Sequence, residues 1–115
     1  MDLRLIRGDT YTLTFALLDS KGIPFQLAAS DRCYFTVKKS FESTDFVLQR
    51  TYGNGISYNI ITGLYEIEIT QDNTSSLTCG CYCFDIKVKI NNQIVKTLVK
   101  GNLFLENNAT HRGNE

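Results

Sequence analysis

From Gly80 to Glu106 the chain is written largely in period two. Tyr82, Phe84, Ile86, Val88 and Ile90 fall on alternate positions, with Cys83, Asp85, Lys87 and Lys89 between them. Successive side chains of a strand point to opposite faces, so the pattern describes a strand with one face on a core and one in water. Asn91 and Asn92 follow, and the chain resumes as Ile94, Val95, Thr97, Leu98 and Val99. Asn tolerates the left-handed backbone of tight turns, so this stretch is expected to be a β-hairpin. A third extended piece, Asn102 to Glu106, is expected after Gly101.

The same period recurs upstream. In Thr10 to Leu18, Tyr11, Leu13, Phe15 and Leu17 alternate with polar or small residues, which predicts one long half-buried strand. Asp19-Ser20-Lys21-Gly22 reads as a turn. Ile23 to Leu27 reads as a short edge segment, because Pro24 cannot donate to a central ladder. Cys33, Phe35 and Val37 form the apolar side of the next strand. Phe46 to Tyr52 and Ile56 to Ile61 read as extended pieces on either side of Gly53-Asn54-Gly55, the strongest turn signal in the chain. Tyr65, Ile67 and Ile69 oppose Glu66, Glu68 and Thr70 in a further strand. Gln71 to Leu77 holds the one plausible helical turn, capped by Thr70 or Asp72.

About seven to nine short strands separated by turns predict an all-β domain, an antiparallel immunoglobulin-like β-sandwich or small barrel. Alternation argues for half-exposed antiparallel strands over buried parallel ones. Residues 1–106 are expected to form a single domain and 107–115 a polar tail. With 115 residues, 43% hydrophobic and 21% charged, the chain has globular composition. Its formal net charge of +0 offers no basic stripe for nucleic acid and no attraction to an anionic membrane, so neither partner is expected. Met1 to Arg7 has no long apolar run and no small-residue cleavage site, so synthesis and retention in a cytoplasm are expected.

Candidate chemistry is sparse. Cys79, Cys81 and Cys83 sit on every second position, which in a strand puts their sulfurs about 7 Å apart on one face. That is too far for two thiolates to chelate one ion unless Gly80 bends the chain, and zinc knuckles use a different spacing. These three and Cys33 are expected to be small half-buried fillers, with free thiols. His111 is the one histidine and lies in the polar tail with no nucleophile or carboxylate placed around it. Glu66 and Glu68 read as solubility residues. Arg7-Gly8-Asp9 spells an integrin-type tripeptide, but it directly precedes a strand and is expected to be a turn. Asn73-Thr74-Ser75 and Asn108-Ala109-Thr110 match glycosylation acceptors by chance. No catalytic, cofactor-binding or metal-binding residue is assigned.

Several segments taken together carry a family resemblance. They are Ile6-Arg7-Gly8-Asp9-Thr10-Tyr11, Leu18 to Pro24, Phe35-Thr36-Val37-Lys38, Gly63-Leu64-Tyr65, Gly80 to Ile86, and Val95 to Phe104 running toward Thr110-His111-Arg112. This pattern is similar to the small β-sandwich domains of tailed-phage and prophage structural proteins, and above all to the N-terminal domain of baseplate upper proteins. The cysteine-rich face departs from it. The resemblance implies a non-enzymatic virion module of tail or baseplate type, made in a bacterial host cytoplasm. It also implies docking onto other virion proteins and formation of a homo-oligomer. The alternative is a carbohydrate- or receptor-binding β-sandwich, with Tyr11, Tyr34, Tyr52, Tyr58, Tyr65 and Tyr82 as candidate stacking platforms. A thiol redox enzyme has only the cysteine run in its favour.

Overall fold

The computed structural model describes residues 2–91 and 94–107. Eight strands follow one another as β1 (Asp2–Ile6), β2 (Tyr11–Phe15), β3 (Arg32–Lys38), β4 (Leu48–Tyr52), β5 (Gly55–Asn59), β6 (Leu64–Ile69), β7 (Gly80–Ile90) and β8 (Ile94–Glu106), with one helical turn, α1 (Gln71–Thr74), after β6. All eight hydrogen-bond into one sheet in the order β1-β8-β7-β3-β4-β5-β6-β2, curled into a half-barrel. The all-β class and the number of strands agree with expectation.

The alternating apolar positions face inward as the sequence predicts. Cys33, Phe35 and Val37, then Tyr65, Ile67 and Ile69, then Tyr82, Phe84, Ile86 and Val88 are all buried in one core. Gly101 does not end a strand. It lies within β8 opposite Phe84, so the hairpin partner and the third extended piece are one thirteen-residue strand. A register shift between Ile86 and Lys87 leaves Leu98 without an opposite number. Asn91 turns the hairpin at φ 56.

The sheet is mixed, not antiparallel throughout. β1 runs parallel to β8, pairing Asp2 with Asn102 through Ile6 with Glu106. No short loop joins these two strands, so no hairpin forces them to run in opposite directions. β4 and β5 are also parallel, through only two residue pairs, Thr51 with Gly55 and Tyr52 with Ile56. The reason lies in the Gly53-Asn54-Gly55 loop. Thr51 and Asn54 exchange both backbone hydrogen bonds, and Gly53 N–H then donates to the Ile56 carbonyl. The chain reverses twice, so β5 resumes the direction of β4. Gly53 at φ 91 and Gly55 at φ 102 take backbone conformations that side chains resist.

Three further expectations change. The strand expected over Thr10 to Leu18 stops at Phe15, and beyond it Leu18 only bridges Pro24. The piece expected over Ile56 to Ile61 ends at Asn59, leaving Ile60 and Ile61 in the β5–β6 turn. β1 is a strand the period-two reading did not find. The tail from residue 108, with His111 and Asn108-Ala109-Thr110, lies outside the described residues, as does Asn92.

The registers place the loops at two ends. At one end, here the Asn91 end, lie the β7–β8 hairpin turn, the β5–β6 turn, and the segment that crosses from β2 to β3. At the other, the Arg7 end, lie the β1–β2 turn and α1. The crossing segment is pinned from inside. Tyr65 is fully buried, and its hydroxyl donates to the Phe25 carbonyl and accepts from the Leu27 N–H, each at 2.8 Å. Phe15, Tyr52 and Tyr58 pack their rings around it.

Candidate functional site

Two surface features could engage another molecule. The first is the seam of the half-barrel. β1 hydrogen-bonds only to β8, and β2 only to β6, so each presents one unpaired edge among the described residues. Backbone N–H and C=O groups along such an edge can accept a strand from a partner. The two edges are tied together at the Arg7 end by the β1–β2 turn, where Ile6 N–H donates to the Tyr11 hydroxyl at 2.8 Å.

Arg7-Gly8-Asp9 forms that turn, as expected. Gly8 has φ 85, and its N–H donates to the buried Thr74 hydroxyl at 2.9 Å. The Arg7 guanidinium donates to the Leu77 carbonyl at 3.2 Å, and the Arg7 N–H to the Glu106 carbonyl at 2.8 Å. The tripeptide is thus held between α1 and β8 instead of projecting on a free loop. Thr70 is the N-cap of α1, with its N–H donating to the Asn73 side chain. That bond and the burial of Thr74 leave Asn73-Thr74-Ser75 poorly shaped as a glycan acceptor.

The second feature is a groove of about 310 Å³ on the outer face of β4-β3-β7, walled by the loop after β3. Tyr34, Thr36, Gln49, Asp85 and Lys87 form its floor, and Phe46, 53% exposed, stands at its side. These residues are neighbours because Tyr34 pairs with Lys87, and Thr36 with both Asp85 and Gln49, across adjacent strands. Of the six candidate stacking tyrosines, Tyr34 opens onto this groove. Tyr65 and Tyr82 are buried, and Tyr11, Tyr52 and Tyr58 pack against the core.

Cys81 and Cys83 share one face of β7 but differ in burial, and Cys79 falls outside the strand. Cys79 precedes β7 and donates to the Asn107 side chain at 3.1 Å. Cys81 is exposed, and Cys83 is buried, donating to the Lys38 carbonyl at 3.5 Å. All four thiols are free. Burial pushes the Cys33 thiol up to about 12 and raises that of Cys83, which disfavours the reactive thiolate at both. Among the described residues no group of three or more His, Cys, Asp or Glu is placed to hold a metal ion.

Among the described residues one buried side-chain nitrogen lacks a partner, Arg50 Nε, which lies over Gly55. A Cβ at Gly55 would meet the guanidinium, which would have to move aside. Periodicity gave no sign of this contact, although Arg50 and Gly55 are five residues apart in sequence.

No protein-family model matches the chain, and no curated protein matches it either.

Proposed function

We propose that this chain is a non-enzymatic structural or assembly module of a phage or prophage virion, of tail or baseplate type, acting through protein–protein contacts. One observation carries the reading: the curled sheet stays open, with β1 and β2 each offering an unpaired edge to a neighbour. The two-pair junction at β4–β5 supports reading the domain as a sandwich, five strands against three around one core. The turns and core positions similar to those of baseplate upper proteins point the same way. The protein would be made in the bacterial cytoplasm and retained in the particle.

Quantitative mass spectrometry of purified particles from cells carrying this gene tests the proposal. A constant copy number per particle is the expected result. Absence from particles that are otherwise complete contradicts it.

A carbohydrate- or receptor-binding role is the second reading, favoured by Tyr34 and Phe46 beside the polar floor of the outer groove. It predicts glycan-array signals that Tyr34→Ala abolishes, and an array without signals removes it.

A further inference from the structure

Among the described residues the Asn91 end exposes more large apolar side chains than the Arg7 end, where Ile6, Phe41 and Phe46 are exposed. Leu18, Ile23, Ile60, Ile61 and Val95 are between 53% and 92% exposed, and all lie toward the Asn91 end. Ile60 and Ile61 occupy a tight turn, where Gly, Asn, Asp, Ser and Pro normally serve. The turn is rigidly built. The Asn59 side-chain oxygen accepts the N–H groups of Ile61 and Thr62, its amide reaches Glu66, and Gly63 N–H donates to the Asn59 carbonyl. Two isoleucines are therefore held out in water on a fixed frame, with Ile61 at 92% exposure. Scattered apolar residues need no explanation, but a concentrated, pre-organised set does.

The same end carries a matching recess. A cavity of about 260 Å³ opens between the crossing segment and the β7–β8 hairpin, walled by Leu17, Leu18, Phe25, Val88, Ile90 and Leu98. It is smaller than the ~300–1,000 Å³ usual for small-molecule sites and suits aliphatic side chains. Asp19 and Lys96 complete its wall, one charge of each sign, so the recess carries no net charge that would oppose an apolar insert.

We propose that the Asn91 end is a self-association surface. On this proposal Ile60 and Ile61 of each copy enter the Leu17–Leu98 recess of a second copy, related by a two-fold axis. An isologous interface needs knob and recess on one face of the same chain, and both lie at this end. The size of the end allows it. Thirteen residues of β8 at ~3.3 Å each span ~43 Å, so the strands follow the 49 Å axis of the molecule. The two shorter extents, 34 and 23 Å, bound the end from above at an area on the order of the ~800 Å² that each partner gives to a standard interface. This inference rests on the assembly reading above and specifies one contact for it, away from the seam.

Sedimentation velocity from micromolar to near-millimolar concentration, with reductant present throughout, tests it. The wild type is expected to form dimers. The Ile60→Ser/Ile61→Ser variant at the knob and Leu18→Lys at the recess should each weaken dimerisation by at least about tenfold. Phe46→Ser, at the opposite end and as exposed as Leu18, should leave it unchanged. Circular dichroism verifies that each variant is folded. The inference is overturned by a wild type that stays monomeric, by a knob variant that dimerises normally, or by oligomers that grow without limit. A monomer that is nonetheless present in purified particles overturns self-association while leaving the assembly reading intact. A dimer absent from particles does the reverse.

Discussion

The carboxylate of Asp31 accepts the backbone N–H of Asn91 at 2.9 Å, joining residues sixty positions apart. Its second oxygen accepts the Ala28 N–H at 2.8 Å. One side chain thus fastens the entry to β3 to the turn of the β7–β8 hairpin. The hydrogen bonds from Asn91 and then Ala28 lower the Asp31 pKa, outweighing the opposing effect of burial. A depressed carboxyl contributes stability above its unfolded pKa near 3.8 and loses it as pH falls through the lower folded value. Asp31→Ala should therefore lower the melting temperature at pH 7, and the gap from wild type should close in strong acid. Melting curves at the two pH values check this.

Tyr65 offers a sharper test of how the crossing segment is held. Tyr65→Phe keeps the ring stack but leaves the Phe25 carbonyl and Leu27 N–H unpaired in a buried site. The expected loss is about 1–3 kcal/mol by urea unfolding. A loss near zero would mean that water takes over both bonds.

Alkaline pH should destabilise the fold through the same tyrosine and through Cys33. Burial pushes both up to about 12, from ordinary values of 10.0 and 9.0. Their contributions are intact below pH 9, where both are protonated in either state. They decline as pH rises toward 12, because the unfolded chain releases its protons first. The urea midpoint should fall from pH 9 upward, and less steeply in Tyr65→Phe.

The two faces of β7 predict opposite mutational costs. Phe84→Ala and Ile86→Ala remove side chains 2% and 6% exposed and should each cost about 2–5 kcal/mol. Lys87→Ala, on the wet face, should change stability by under about 0.5 kcal/mol. Equilibrium denaturation of the three variants decides whether the faces are correctly assigned.

Gly55 should resist substitution for a reason of backbone, not space alone. At φ +102 any side chain is strained, and its Cβ would meet the Arg50 guanidinium. Arg50 is long enough to swing away, so the strain sets the cost, more than about 1 kcal/mol for Gly55→Ala. Denaturation of this variant beside Gly22→Ala, also at positive φ but with nothing nearby, separates strain from contact.

What the sequence made legible was local. Cys33-Phe35-Val37, Tyr65-Ile67-Ile69 and Tyr82 to Val88 each report their face through a period of two, and each is buried as read. Their neighbours were less legible. The pairing of β1 with β8 depends on Leu3 and Leu5 meeting Leu103 and Leu105 about a hundred residues away, which no periodicity within β1 encodes. Gly53-Asn54-Gly55 announces a turn but not that the chain turns twice. Gly101 looks like a break, yet it continues β8 opposite Phe84. The Asn91 end was hidden for a similar reason. Ile61 lies about forty residues from Leu18 and Ile23, and they come to one end only because β2, β5 and β7 all finish on the same side.

The most direct test of the assembly account is amide hydrogen exchange on the isolated protein and on the protein within purified particles. The account predicts that outward-facing amides of β1 and β2, open in the isolated chain except for Ile6 on the Tyr11 hydroxyl, become protected in the particle, while those of β3 and β7 change little. Equal exchange at both edges in the two samples would contradict it.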